Sequence, residues 1–217
     1  MQLHNFSVEI FTEYKAETFL EKKGFPVVKR ELFTDAKKAL EYASKIGFPV
    51  VLKLASDELL HKTDVNAVRL NVHNDEFMKE FASLSRMKIK HYGVIVQKFI
   101  HGKFIIIGIK KDETFGHVIL VGLGGIFAEI INDTSFRVLP ITKKDAFEML
   151  KELRSFEILR GYRGEKVNLN HVVDIMLKVS KLTDNYPNIL ELDLNPLIAN
   201  EKKALIVDAR IIFDNYR

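Results

Sequence analysis

A lysine stands in the middle of an apolar run, where its cationic head needs either an anion or water. Lys53 lies in PVVLKLA, residues 49–55, and the apolar residues on both faces of this run predict a central β-strand. An ammonium group inside such a strand is costly unless an anion or a carboxylate faces it. Lys53 is therefore a candidate phosphate-binding residue. The alternative is an edge-strand lysine with a buried stem and a solvated head.

The segment that follows this strand combines four kinds of polar side chain. His61, Lys62, Thr63 and Asp64 place an imidazole, an ammonium, a hydroxyl and a carboxylate next to one another. A neutral imidazole can accept a phosphoryl group or act as a general base. His61 is thus a candidate catalytic residue, and a solvated polar loop is the alternative.

Three glycines, Gly122, Gly124 and Gly125, follow a predicted strand over residues 118–121. Glycines allow backbone N–H groups to approach an anion closely. The segment matches neither the P-loop nor the dinucleotide-binding fingerprint, because no GK[ST] follows and no helix begins there. An anion-binding loop and a tight turn between two strands both remain open.

Acidic and amide side chains alternate in LELDLNPL, residues 190–197. In a strand Glu191, Asp193 and Asn195 would point to the same face. Asp208 stands in the next apolar run, IVDARII, which is the expected hairpin partner. Carboxylate and amide oxygens suit Mg²⁺, and Asp and Asn are poor strand formers, so their presence calls for a reason. A magnesium site is predicted, and a solvent-facing sheet surface is the alternative.

Together, a strand lysine, a glycine loop and a late carboxylate–amide group suggest phosphate and magnesium held between two lobes. Enzymes that transfer phosphoryl groups to or from nucleotides use this combination of groups.

Hydrophobic periodicity, caps and turn residues predict the elements that position these residues, and Thr142 with Asp145 forms the pattern of a capping box at a helix start. Helices are predicted over residues 7–23, 36–46, 74–84, 142–153 and 169–183. Strands are predicted over 25–32, 49–55, 67–72, 93–100, 103–110, 118–121, 127–131, 136–139, 189–197 and 204–212, with 93–100 and 103–110 adjacent across His101-Gly102. This order is not a regular βαβ alternation and predicts an α+β fold of two small lobes. The expected lobes are residues 1–100, including the leading helix, and residues 101–217.

Composition excludes several classes of function. The chain has 217 residues, no cysteine, and a net charge of +4 from 33 basic and 29 acidic residues. Thiolate catalysis and Cys-ligated zinc are therefore excluded. The apolar runs of six or seven residues are far shorter than the roughly 20 that a membrane helix needs. The N-terminus also lacks the apolar stretch of a signal peptide. A cytoplasmic protein without nucleic-acid partners is expected, because basic and acidic residues are interleaved.

Several segments, taken in order, make the chain similar to a known family. They are TEYKAETFLEKKGFPV, IGFPVVLKLAS, LLHKTDV, FGHVILVGLGGIFAEIINDTSFRVLP, LRGYRGEKV, LELDLNPL and IVDARI. Jointly they resemble the β subunit, or ATP-grasp domain, of the ADP-forming (NDP-forming) acetyl-CoA synthetases of the succinyl-CoA synthetase superfamily. The resemblance runs from about residue 10 to residue 212, nearly the whole chain.

The resemblance implies an ATP-grasp fold with ADP or ATP and Mg²⁺ in a cleft between two lobes. It also implies the reaction acyl-CoA + ADP + phosphate ⇌ carboxylate + CoA + ATP. In this family a separate CoA-binding part forms an acyl phosphate and then a phosphohistidine. The chain has room for the ATP-grasp part only, so a CoA-binding α subunit is the implied partner, typically in a heterotetramer.

The resemblance also implies roles for individual residues. Lys53 matches a lysine that contacts nucleotide phosphates, and His61 matches a histidine that relays the phosphoryl group on a mobile loop. Asn195 and Asp208 match the pair that ligates Mg²⁺.

Three further matches concern the surroundings of the nucleotide. The glycine segment matches one beside the phosphohistidine path. Arg137, in SFRVLP, matches an arginine placed to contact phosphate. Gln97 lies in the connector expected on the adenine side.

Two departures from the family pattern bear on nucleotide binding. The family loop continues HKSDVGGV, whereas here Val65 is followed by Asn66 and Ala67. Asparagine tolerates a left-handed conformation, and alanine does so at a cost. The family also has G-x-E where this chain has Gly102-Lys103-Phe104. Phe104 cannot accept the hydrogen bonds from ribose hydroxyls that the acidic residue would normally accept.

These observations leave two functional hypotheses from different classes. The joint presence of Lys53, His61, Asn195 and Asp208 favours an active β subunit. Phe104 and the missing paired glycines favour a catalytically impaired ATP-grasp paralogue that serves as a structural or regulatory subunit.

Overall fold

The computed structural model describes residues 8–58, 66–124, 132–162 and 164–215. The described strands are β1 (Val8–Phe11), β2 (Arg30–Phe33), β3 (Val50–Ala55), β4 (Val68–Val72), β5 (Gly93–Lys98), β6 (Lys103–Asp112), β7 (Gly116–Leu123), β8 (Thr134–Val138), β9 (Ile189–Ala199), β10 (Ala204–Ile206) and β11 (Ala209–Asp214). The described helices are α1 (Glu13–Lys22), α2 (Ala36–Ile46), α3 (Asn74–Ser85), α4 (Lys143–Glu152), α5 (Phe156–Leu159) and α6 (Leu169–Asn185). None of these helices is long and apolar enough to span a membrane.

The chain divides into two compact units. The smaller is Val28–Ile100, and the larger joins Met1–Val27 to His101–Arg217. The boundary after Ile100 coincides with the one expected from the sequence. The leading helix belongs with the larger unit, however, because β1 pairs antiparallel with β11 near the end of the chain.

The smaller unit is a four-stranded antiparallel sheet, ordered β2-β5-β3-β4, with two helices on one face. The Asp35 carboxylate begins α2 by accepting the Lys38 backbone N–H at 2.9 Å. Alternate strand residues pack against both helices; they include Leu52, Leu54 and Val96. The face of each sheet that turns away from its helices is its far face. In the smaller unit the strand residues between the helix-packed ones lie on this far face.

The larger unit is built on a sheet ordered β1-β11-β9-β6-β7-β8, with β10 also beside β9. One face forms a single core with α1, α4, α5 and α6, to which β6 contributes Ile105, Ile107 and Ile109. Helix α4 begins with the predicted capping box. The Thr142 hydroxyl accepts the Asp145 N–H at 3.2 Å, and the Asp145 carboxylate accepts the Thr142 N–H at 2.8 Å.

Three predicted elements differ from the structure. Residues 8–11 form a strand, because VEIF finds a partner in β11, and α1 begins only after Thr12. The strands expected to be adjacent, β5 and β6, lie in different sheets, because β2 and β3 already occupy both edges of β5. The last predicted strand is interrupted at Val207 and Asp208, which separate β10 from β11.

Candidate active site

Lys53 lies on an interior strand and is almost completely buried. Strand β3 is flanked by β4 and β5, with Lys53 opposite Val68 and Ile95. The side chain is 6% exposed, and its neighbours Leu52 and Leu54 point toward the helices, so Lys53 lies on the far face. The edge-strand alternative is therefore wrong for this lysine.

Gln97 shares that far face. On β5 it pairs with Val51 on one side and with Arg30 of β2 on the other, and it is 2% exposed. Because Val51 and Lys53 are alternate residues of β3, the two predicted nucleotide-contacting residues of this unit lie on the same side of its sheet.

His61 and Gly125 lie outside the described residues, so their predicted roles stay predictions. The described chain resumes at Asn66, which has a φ of 53°, the left-handed conformation that asparagine tolerates. Ala67 is fully buried, and its carbonyl accepts the Leu54 N–H at 2.9 Å. Asn66 therefore takes the strained position, and Ala67 is anchored to β3.

The alternation predicted for β9 is confirmed. Leu192 and Leu194 are buried in the core, while Asp193 and Asn195 are exposed on the far face of the larger sheet. The Asp193 carboxylate accepts a hydrogen bond from the side chain of Asn195.

Asp208 lies directly beside Asn195, at the break between β10 and β11. Its carbonyl accepts the Asn195 N–H at 3.2 Å, and the adjacent Val207 N–H donates to the Pro196 carbonyl at 3.2 Å. The side chains of Asn195 and Asp208 therefore start from neighbouring backbone positions. No cluster of three or more His, Asp or Glu side chains suited to a metal occurs in the described part of the chain. One carboxylate and one amide fit a cation such as Mg²⁺, which takes its other ligands from water and phosphate.

Arg210 is a charged neighbour of this site and was not among the residues predicted from the sequence. It lies opposite Asp193 on β11. Partial burial raises the pKa of the Asp193 carboxyl, and the positive charge of Arg210 opposes that rise. The signal was present in IVDARII, because Arg210 is two residues beyond Asp208 and so falls on the same side of an extended chain.

A groove of about 520 Å³ runs over the far face of the larger sheet beside these residues. One side is ionic, with Lys110, Asp193 and Arg210, and the other is apolar, with Leu120 and Phe136. Its lining residues Asp193 and Arg210 are two residues along the chain from Asn195 and Asp208.

Gly122 and Gly124 permit close packing of strands. A Cβ atom at Gly122 would lie 2.9 Å from the Asp133 carbonyl oxygen, and one at Gly124 would lie 3.2 Å from the Phe104 Cβ. Gly122 lies inside β7, and the Gly124 N–H donates to the Phe104 carbonyl at 2.8 Å. Gly122 therefore lies within the ladder and not in a turn, whereas Gly125 and the segment after it lie outside the described residues. A role beside a phosphohistidine stays a prediction.

Arg137 is held by an ion pair on the helix-bearing side of β8. Its guanidinium donates to both carboxylate oxygens of Glu152 on α4, and the Ser135 hydroxyl donates to the same carboxylate at 2.6 Å. These hydrogen bonds lower the pKa of Glu152 and raise that of Arg137. The arrangement explains Arg137 as a link between strand and helix. A phosphate contact stays a prediction, and it would require this link to open.

Two sheets, each with helices on one face, form the architecture of an ATP-grasp domain. The sequence model of the ATP-grasp domain family matches residues 5–213. The acetyl-coenzyme A synthetase 1 of Ca. Korarchaeum cryptofilum, solved with coenzyme A, Ca-AMPCP and HgCl⁺, superposes with a TM-score of 0.88. It is 34% identical, and the match covers 94% of this chain and 93% of that one.

A second structure of that synthetase, with coenzyme A and Mg-AMPPCP, has its phosphohistidine segment pointing towards the nucleotide binding site. It superposes with a TM-score of 0.81 at 35% identity over 94% of this chain and 92% of that one. The β subunit of ADP-forming acetate–CoA ligase II from Pyrococcus furiosus is 42% identical over 212 residues, covering 92% of this chain and 90% of that subunit. The chain belongs to the ATP-grasp family and, within it, to the β subunits of ADP-forming acetate–CoA ligases. The predicted fold, family and enzyme class are confirmed.

Proposed function

We propose that this chain is the nucleotide-binding β subunit of an ADP-forming acyl-CoA synthetase. It binds Mg-ADP or Mg-ATP and transfers a phosphoryl group between the nucleotide and a phosphohistidine of a CoA-binding partner. The complete reaction is acyl-CoA + ADP + phosphate ⇌ carboxylate + CoA + ATP. The relationship to a β subunit supports a CoA-binding α partner, and a heterotetramer and a cytoplasmic location are parts of the proposal.

One observation of geometry carries the proposal. The backbone N–H of Asn195 donates to the carbonyl of Asp208 at 3.2 Å, and the groove lined by Asp193 and Arg210 begins two residues along the chain from each of them. This closeness supports a carboxylate and an amide as oxygen ligands of a phosphate-bound cation. Bound Mg²⁺ would neutralise charge on the phosphate oxygens.

Lys53 and Gln97 are assigned to the nucleotide from the smaller unit. The Lys53 ammonium supplies a positive charge for phosphate oxygens, and its burial strengthens that interaction because water screens it less. Gln97 offers an amide that can donate and accept hydrogen bonds on the adenine side.

His61 is assigned to the phosphoryl relay, which has two steps. In the first step the P–N bond of the partner's phosphohistidine breaks while a P–N bond to the His61 imidazole forms. The second step breaks the bond to His61 and forms a P–O bond to the terminal phosphate oxygen of ADP. The attacking nitrogen of the imidazole must be unprotonated, because only then does it have a lone pair for the new bond.

The decisive experiment is isothermal titration of the purified chain with ADP and ATP, with and without Mg²⁺. We expect binding that weakens by about tenfold or more when Mg²⁺ is removed, because the cation links the carboxylate to the phosphates. Absence of nucleotide binding, both alone and with the CoA-binding partner added, would refute the proposal.

The alternative, a catalytically impaired paralogue, is favoured by Phe104. A phosphoryl-transfer assay distinguishes it from an active β subunit. With the partner and labelled ATP, the active subunit passes label to the partner histidine, whereas a paralogue binds the partner without transfer. His61→Ala should abolish transfer while nucleotide binding is kept. His73→Ala is a matched control, because His73 is exposed and makes no side-chain cap to α3.

A further inference from the structure

Phe104 presents an aromatic ring on the far face of the larger sheet. It is 43% exposed on β6, although Ile105 and Ile107 beside it are fully buried in the core. Phe104 lies opposite Ile198 of β9, three residues beyond Asn195. A register shift between Leu194 and Leu197 turns both of these leucines into the core, so that Asn195 and Ile198 both lie on the far face. Phe104 is therefore on the same face as Asn195 and on the neighbouring strand.

On the β7 side of Phe104 the neighbouring residue is a glycine. The Gly124 N–H donates to the Phe104 carbonyl at 2.8 Å, and a Cβ atom at Gly124 would stand 3.2 Å from the Phe104 Cβ. Any larger residue at position 124 would project onto the same face next to the ring. Among the described residues, position 124 therefore adds no side chain that would compete with a flat group for the phenyl.

A large apolar side chain exposed at a site face is stabilised when a ligand covers it. The ligand proposed for this face carries a base and a sugar, both of which can lie against an aromatic ring. A phenyl ring attracts a base through stacking, which tolerates any base because each has a π-face. It offers no acceptor to a ribose hydroxyl, since it contains only carbon and hydrogen.

We infer that Phe104 is a specificity-determining residue that binds the nucleoside part by stacking and does not read the ribose 2′-hydroxyl. The inference rests on the proposed function, because it needs a nucleotide beside Asn195 and Asp208. It predicts that this chain accepts 2′-deoxy-ADP nearly as well as ADP, and GDP nearly as well as ADP.

The test compares the wild type with three variants of Phe104 by isothermal titration with Mg-ADP, Mg-2′-deoxy-ADP and Mg-GDP. The wild type should bind ADP and 2′-deoxy-ADP within about twofold, because no hydrogen bond distinguishes them. Phe104→Ala should weaken all three nucleotides by about tenfold, the loss expected for one stacked base. Phe104→Tyr should restore the affinity for ADP. Phe104→Glu supplies an acceptor and should create about a tenfold preference for ADP over 2′-deoxy-ADP.

Phe115→Ala is the matched control, because Phe115 is 64% exposed in the turn between β6 and β7 and should leave all affinities unchanged. Unchanged nucleotide affinity in Phe104→Ala overturns the inference, as does a tenfold preference of the wild type for ADP over its 2′-deoxy form. Weaker binding of the CoA-binding partner with normal nucleotide affinity would assign Phe104 to that interface and overturn the inference as well. Failure of every nucleotide to bind the wild type would instead refute the proposed function.

Discussion

Lys53 places an ammonium group on the far face of the smaller sheet. It is 6% exposed on an interior strand between two apolar neighbours. Taking a charge out of water is costly, so a buried ammonium group needs oppositely charged groups or hydrogen-bond acceptors around it. We propose that phosphate oxygens of the nucleotide are among them.

Lys53→Met is expected to lower the affinity for Mg-ADP by about tenfold or more, because a charge-assisted contact to phosphate is lost. The free energy of unfolding is measured beside the affinity, so that a loss of binding can be separated from a loss of folded protein. Titration calorimetry and denaturant unfolding measure the two effects. Lys79→Met, an exposed change on α3, is the control. A variant with normal affinity would remove Lys53 from the site.

Asp208 meets Asn195 through a backbone hydrogen bond, so a change of the Asp208 side chain leaves that contact in place. Its role as a magnesium ligand can therefore be tested by itself. Asp208→Asn should raise the Mg²⁺ concentration needed for half-maximal ADP binding by about tenfold, because a neutral amide attracts the cation less than a carboxylate. Affinity for ADP without Mg²⁺ should change little. Asp174→Asn, an exposed change on α6, controls for the loss of one negative charge. Identical magnesium titrations of the wild type and Asp208→Asn would exclude Asp208 as a ligand.

At the scale of elements, both sheets follow the same pattern. Each places its apolar alternate residues against helices. Lys53 and Gln97 lie on the far face of the smaller sheet, and Asn195 lies on the far face of the larger one, whereas Arg137 lies on the helix-bearing side. Alternation alone produces this division, because successive strand side chains point to opposite faces. The far faces can therefore change their polar residues without disturbing the helix-packed cores.

The start of α5 depends on a residue that lies far from it in the sequence. The Asp133 carboxylate accepts the backbone N–H of Arg154 at 2.8 Å and that of Ser155 at 2.7 Å. Burial alone would raise the pKa of Asp133, but hydrogen bonds from the side chain and backbone of Ser155 and from the Arg154 N–H outweigh it and lower the pKa. The ionised form is therefore favoured by the folded state.

Asp133→Ala should lower the free energy of unfolding by about 1–2 kcal/mol at neutral pH, as removal of a helix cap does. Because the folded pKa is lowered, the stabilisation is present above the usual value of 3.8 and is lost as the pH falls through the folded value. The difference in free energy of unfolding between the wild type and Asp133→Ala should therefore become smaller at acid pH. Denaturant unfolding as a function of pH checks this, with exposed Asp184→Asn as the control. A gap that widens on acidification would contradict the proposed cause.

At the scale of the whole molecule, the two ends of the chain belong to one unit. Strand β1 lies on the edge of the larger sheet beside β11, and β11 in turn pairs with β9, which carries Asp193 and Asn195. The smaller unit, Val28–Ile100, is inserted between these parts of the sequence. The N-terminal strand therefore supports the sheet of the proposed metal pair.

Deleting residues 1–11 should destabilise the larger unit selectively. The β11 amides that bond to β1 would become an open edge, so their hydrogen exchange should accelerate by about tenfold or more. Exchange in β3 and β5 should be unchanged, because those strands have their partners within the smaller sheet. Hydrogen exchange followed by mass spectrometry measures both regions in one experiment. Equal acceleration in both sheets would show that the N-terminal strand supports the whole chain.

Local patterns predicted much of this protein correctly. The Thr142–Asp145 pair predicted the start of α4, and the spacing of polar residues in LELDLNPL predicted which side chains share a face of β9. Both depend on contacts within a few residues, which the sequence alone specifies. The ordered motifs were also sufficient to identify the family.

Only the tertiary structure decided which distant segments meet. β1 pairs with β11, β5 and β6 belong to different sheets, and Arg137 is held by Glu152. A strand exposes the same backbone donors and acceptors whatever its partner, so its own sequence predicts that it is a strand but not its neighbour. The partner is chosen by which arrangement buries every apolar face at once, and that choice depends on the whole chain.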